Sequence, residues 1–227
     1  MEVKEFELTQ TDLNAIKHND SNYINQKGAN LYVSGNYADA VEYYRVASAM
    51  GNDTATSNLG YCYLYGRDIE QNLSLALAYF EIAASKQNID ACYKLGDIYG
   101  SDKWGVKDKE MSIYYYRMAA SFLIVDEWEA PCSIAYTDTL QGYPSLCYAL
   151  GREMMPGGDM ATNLDQAYQF LKHAEIGYKR ELANGSSFYE KTYAGVIECL
   201  NNEVFDDVRK KYDPIFDEDD DESLIDD

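Results

Sequence analysis

A period of 36 residues constrains this chain more than any other feature. Ala40, Ala76 and Ser112 stand 36 apart, and so do the pairs Tyr43-Tyr44, Tyr79-Phe80 and Tyr115-Tyr116 and the alanines Ala47, Ala83 and Ala119. A second segment precedes these blocks. Leu59-Gly60-x-x-Tyr63 returns 36 residues later as Leu95-Gly96-x-x-Tyr99, and 55 residues after that as Leu150-Gly151-x-x-Met154, which marks an insertion of 19. Behind the last copy, Ala167, Phe170-Leu171 and Ala174 keep the frame. A unit of this length cannot bury its apolar faces alone, so the chain has to stack copies of it.

Within a unit the pattern is helix, loop, helix. Ala55-x-x-x-Leu59-Gly60-x-x-Tyr63 lines one helical face (helix A), and Gly66 stands where a helix end takes a left-handed residue. Ala76-x-x-Tyr79-Phe80-x-x-Ala83-Ala84 supplies the second apolar stripe (helix B). Gly60 and the alanines let two backbones approach closely, and the aromatic pair fills the space beside them. The first unit has 12 residues from Gly28 to Ala40 where the second has 16 from Gly60 to Ala76, so a tight turn replaces the longer loop.

The expected fold is all-α, a right-handed α-α superhelix (solenoid) of about four repeats with helical caps. Residues 1–21 form a polar N-terminal cap, with one short helix starting near Thr11-Asp12. The array covers 22–185, in units of about 22–52, 53–88, 89–120 and 144–180. Residues 121–143 are the insertion: Phe122-Leu123-Ile124-Val125 continues helix B of the third unit, and Trp128, Pro131 and Tyr136 are expected to pack over the convex side. Asn184-Gly185 ends the last repeat helix, and Ser187-x-x-Glu190 reads as a capping box opening the C-terminal caps, 186–213. Their stripe is Tyr193, Ile197, Leu200, Val204 and Val208, with a break at Asn201-Asn202. Residues 214–227 are an acidic tail expected to be disordered.

Charge then limits the partners. Nineteen Lys and Arg against 39 Asp and Glu give a net charge of −20, which disfavours nucleic acid and anionic membrane surfaces and suits basic or neutral protein partners. The acidity overlies a real core, since 46% of residues are hydrophobic. Charges fill the first eight residues where a signal peptide needs an apolar run, so the chain reads as cytoplasmic. Five cysteines without paired spacing then read as reduced thiols, and the four glycosylation sequons carry no meaning.

Enzyme signatures are missing. His18 and His173 lack metal-binding neighbours, and His173 reads as a surface residue of helix B. A Cys147–His173 nucleophile pair would need both helices of the fourth unit to face each other there. Pro156-Gly157-Gly158-Asp159 lacks the Lys-Ser/Thr of a phosphate loop, and the acidic tail lacks the glycine of a calcium loop. The chain is expected to be non-catalytic, with no cofactor and no metal.

The combination Leu59-Gly60-x-x-Tyr63-x-x-Gly66, Ile69, Asn72, Ala76, Tyr79-Phe80 and Ala83-Ala84 resembles the Sel-one-like repeat, a longer-looped relative of the tetratricopeptide repeat. Leu150, Gly151, Gly157, Met160, Asn163, Ala167 and Ala174 match the same frame, and the first unit is closer to the tetratricopeptide form. The third departs: its loop, Asp102-Lys103-Trp104-Gly105-Val106, is offset by one residue, and Ser112 replaces an alanine. The resemblance implies a scaffold that binds a peptide or protein on a concave face lined by helix A. In that frame the partner-binding residues are Asn25, Ser57, Tyr61, Tyr93, Asp97, Tyr148 and Arg152, with Tyr65 one turn further on. Tyrosine gives large contact area at modest entropy cost, and asparagine hydrogen-bonds extended backbone. The alternative is an acidic inhibitor or immunity protein that neutralises a basic toxin or nuclease, distinguished by a steep dependence on salt.

Overall fold

Asparagine caps five of the α-helices among the described residues. In the computed structural model, which describes residues 6–123 and 140–213, Asn36, Asn52, Asn72, Asn88 and Asn163 each accept a hydrogen bond from the backbone N–H three residues on, the N-cap geometry that satisfies an otherwise unpaired donor. Two caps also reach back to the start of the preceding helix A: Asn52 Nδ2 donates to Asn22 Oδ1 at 2.9 Å and Asn88 Nδ2 to Asp53 Oδ2 at 2.7 Å. The period therefore spaces polar bridges as well as apolar packing. The chain divides into two compact units, residues 1–108 and 109–227.

The first unit contains α1 (Gln10–Lys17), α2 (Ser21–Val33), α3 (Tyr37–Ala49), α4 (Asp53–Tyr65), α5 (Leu73–Ser85), α6 (Ile89–Gly100) and a 3-10 turn, Asp102–Trp104. The pairs α2/α3 and α4/α5 are the helix-A/helix-B hairpins, packed through the glycines. A methyl group at Gly28 would lie 2.9 Å from the Tyr44 ring, and one at Gly60 2.8 Å from the Phe80 ring. The first hairpin turns through residues 34–36, with Gly35 at φ 83°. The second uses a longer loop that begins at Gly66, the left-handed C-cap of α4 at φ 65°. Ile24, Val41, Tyr44, Leu59 and Cys62 are buried in the core between the units of the repeat.

The N-terminal cap differs from the expectation. Helix α1 starts two residues earlier, because Thr9 and Asp12 form a capping box and Thr9, not Thr11 or Asp12, is the cap. Asp12 is fully buried, bound by Lys27 Nζ at 2.7 Å and by the Tyr43 hydroxyl at 2.8 Å. This nominally polar segment is therefore latched to α2 and α3 by one carboxylate.

The second unit contains α7 (Lys109–Leu123), α8 (Pro144–Glu153), α9 (Leu164–Ala183), a 3-10 turn (Ser187–Tyr189), α10 (Glu190–Leu200), a second 3-10 turn (Glu203–Phe205) and a helical stretch over 206–213. Helices α8 and α9 repeat the hairpin, with Gly151 against Leu171. Gly185, at φ 90°, ends α9 as expected. The capping box at Ser187 does not form. That segment is one tight 3-10 turn, so α10 starts at Glu190 without a side-chain cap. The 3-10 turn after Asn201-Asn202 also rotates the helical phase. The buried positions are Val196, Leu200, Phe205 and Tyr212, while Val204 is exposed. His173 is fully buried and not at the surface, because α9 is packed on both sides, by α8 and by α10. The insertion residues Ile124, Val125, Trp128, Pro131 and Tyr136 and the tail 214–227 lie outside the described residues. No described helix is long and apolar enough to cross a membrane.

Candidate protein-binding face

The helix-A residues of the first unit come together on α4 and α6. Tyr61 and Tyr65 are one turn apart on α4 with nearly parallel rings, centroids 6.4 Å apart. Tyr61 sets its edge on Phe80 at 5.1 Å, which fixes one side of the ring against the core. Tyr65 is 43% exposed and meets Trp104, from the 3-10 turn after α6, at 6.2 Å. Tyr61, Tyr65 and Trp104 thus form one continuous aromatic ledge.

A lysine ties this ledge to the next helix. Lys94 Nζ lies 5.5 Å from the Tyr61 ring and 5.3 Å from the Tyr93 ring, and donates to Asp97 Oδ2 at 2.9 Å. Its side chain is only 10% exposed. Burying an ammonium costs free energy unless it is paired. The carboxylate one turn away and the two ring faces supply that pairing, the ring contacts contributing about 0.5–2 kcal/mol each. Lys103, exposed, sits 4.3 Å over Trp104 and 5.9 Å from Tyr65. On α2, the half-buried Asn25 accepts from Asn58 Nδ2 at 3.1 Å, a polar link between the first two A helices.

Of the residues expected to line a groove, Tyr61, Tyr93 and Asp97 therefore gather around Lys94, and Tyr65 joins them through Tyr61. Ser57 does not join them. It is 3% exposed, whereas Tyr93, at the equivalent position of the next repeat, is half-buried. Tyr148 and Arg152 belong to the second unit. The Arg152 guanidinium covers the Tyr148 ring at 5.5 Å, and the Tyr148 hydroxyl reaches α10, where it would meet a methyl on Gly195 at 2.6 Å. Burial pushes the Tyr148 phenol up. Helix α10 therefore takes up part of this tyrosine's surface.

Three contributors escaped the sequence frame: Lys94, Lys103 and Trp104. Lys94 stands one residue before the Leu-Gly leucine, 36 after Asn58, and the Asn58–Asn25 bond shows that this position links neighbouring A helices. That recurrence was the available signal.

Burial pushes Cys62 and Cys92 up to about 11 and Cys147 further still, and Cys147 Sγ donates to the Leu140 carbonyl at 3.3 Å. No group of three or more His, Cys, Asp or Glu side chains suited to a metal ion occurs among the described residues.

Comparison with known proteins bears on the same repeats. The family model described as Sel1 repeat matches residues 18–52, 54–88, 89–121 and 144–174, more than half of the chain. Among solved structures, a Sel1 repeat protein from Oxalobacter formigenes is similar, with a TM-score of 0.54 and 19% identity over 75% of this chain. The chain spans 61% of that protein's length. A search of curated proteins returned no significant match. The repeat matches and the shared fold make this an all-α protein of the α-solenoid class.

Proposed function

The chain belongs to the Sel1 repeat family, and from that membership we propose that it is a non-catalytic protein-interaction module whose binding face is the aromatic ledge of α4 and α6. Proteins built from these repeats are generally interaction modules. The observation that carries the assignment of the face is the run Tyr61–Tyr65–Trp104, large rings in contact with one another and still partly open to solvent. Rings held in this way offer contact area with little side-chain entropy left to lose, the quality that concentrates binding energy in tyrosine and tryptophan. Lys94 and Asp97 add polar groups fixed by their own ion pair. Asn25 extends the surface onto α2, and its amide carbonyl is already committed to Asn58.

The test is a peptide-display selection against the full chain, followed by binding of the selected peptides to a Tyr61→Ala/Tyr93→Ala variant. The variant is expected to lose at least tenfold in affinity while keeping its helical circular dichroism. Selected peptides that bind the variant as tightly as the original would move the site off this face.

A further inference from the structure

The ledge already holds cations, and they are the chain's own. Lys94 occupies the space between Tyr61 and Tyr93, and Lys103 lies on the corner between Tyr65 and Trp104. The two differ in how firmly they are held. Lys94 is nearly buried and ion-paired, whereas Lys103 is exposed and has no carboxylate partner among the described residues. A lysine resting on two rings without an anion is held by cation–π attraction alone, which is worth little at an exposed site and is readily replaced.

The second open element is Asp97. Its Oδ2 is fixed by Lys94, its side chain is 44% exposed, and no donor among the described residues reaches its Oδ1. It is a carboxylate set in position with half of its hydrogen-bonding capacity unused. The wider field has the same sign: residues 1–108 carry nine Lys and Arg against fifteen Asp and Glu, within a chain of net charge −20.

On the premise that this face is the binding face, we propose that its ligand is a basic extended segment of a partner protein. One arginine or lysine would replace Lys103 on the Tyr65–Trp104 corner, and a second would donate to Asp97. A guanidinium suits both places, since it stacks on aromatic faces and donates in a planar fork to carboxylate. Asp97 and the corner are linked through Lys94 and Tyr61 by successive contacts of 2.9, 5.5 and 6.4 Å, a separation that a few residues of extended chain span at about 3.3 Å each. Lys103 is then a stand-in for the ligand, and removing it should help binding.

The experiment is fluorescence anisotropy with labelled ten-residue Gly/Ser peptides carrying two arginines, two glutamines or two glutamates three residues apart. Titrations use the full-length protein and its Asp97→Asn, Lys103→Ala and Tyr61→Ala/Tyr93→Ala variants, each checked by circular dichroism. The arginine peptide is expected to bind best, Asp97→Asn to weaken it about fivefold or more, and Lys103→Ala to strengthen it by about twofold, changes of the size of one exposed charge or cation–π contact. A preference for the glutamate peptide, a Lys103→Ala variant that binds the arginine peptide more weakly, or no binding at all would overturn the basic-ligand assignment. Glutamine or glutamate peptides that bind best and are lost in the double tyrosine variant would overturn only that assignment and leave the face intact. Arginine binding that survives in the double tyrosine variant would remove both.

Discussion

Replacing Gly60 by alanine puts a single methyl group where the packing of α4 on α5 has no room for one. The new Cβ would stand 2.8 Å from two carbons of the Phe80 ring and 3.0 Å from a third, and Phe80 is fully buried, so the ring has no solvent to swing into. Overpacking of this kind costs about 1–3 kcal/mol. Alanine in place of glycine in mid-helix returns about 0.5–1 kcal/mol of backbone entropy. The net expectation is a loss of about 1–2 kcal/mol, or a fall in melting temperature of about 2–4 °C for each kcal/mol in a domain of this size. The decisive form is a double-mutant cycle with Phe80→Ala. Truncating the ring alone should cost about 3–5 kcal/mol, but it also vacates the space opposite residue 60. In that background Gly60→Ala should therefore be neutral or stabilising. Thermal and urea unfolding followed by circular dichroism would measure all four corners. Equal destabilisation by Gly60→Ala with and without the Phe80 ring would refute the claim that the glycine exists to admit that ring.

Three further outcomes follow from buried polar and sulfur groups. Burial opposes the charge on Asp12, but donors from Lys27, Thr9 and Tyr43 outweigh it and hold the carboxyl well below its usual range. Its contribution is thus complete above the unfolded pKa of about 4 and is lost as pH falls toward the folded value. The melting temperature of Asp12→Asn should accordingly vary less between pH 6 and pH 3 than that of the original protein; an unchanged acid profile would deny the latch. At neutral pH the same substitution should cost about 1–3 kcal/mol, since Tyr43 and Thr9 lose a charged acceptor while Lys27 can hydrate. Cys62, Cys92 and Cys147 should resist a thiol-specific reagent at pH 7.5 in the native protein and react fully in denaturant, as read by peptide mass spectrometry; rapid native labelling of any of them would contradict its burial.

The parts legible in sequence were those that recur. Gly28, Gly60 and Gly151 with their large partners across each hairpin are spaced by the repeat, and close approach of two helix backbones demands that pairing of small with large. Positive-φ glycines at 66 and 185 were equally legible, because only a narrow set of residues tolerates that conformation. Features that depend on a single tertiary contact were not. Lys94 reads as a solvent-facing charge until two rings and a carboxylate are seen around it. Asp12 reads as a helix cap until Lys27 and Tyr43, 15 and 31 residues away, are seen to bind it. Tyr148 fits the groove frame, yet α10 takes up part of its surface, and nothing in the repeat announces where a capping helix will lie. The misplaced C-terminal stripe has a local cause. Past Leu200, the 3-10 turn over 203–205 shifts the phase so that Phe205 and not Val204 is buried, and periodicity alone cannot register a change of pitch.

The claim that the α4–α6 ledge is where this protein meets its partner is tested most directly by placing a photo-reactive amino acid at Tyr65, the most open ring of the ledge at 43% exposure. Display-selected peptides would be irradiated on that variant and on a control carrying the same residue in place of Tyr114, an exposed position on α7 in the other unit. The expected result is an adduct at position 65, competed away by unlabelled peptide and absent from the control. Adducts at position 114 with none at position 65 would contradict it.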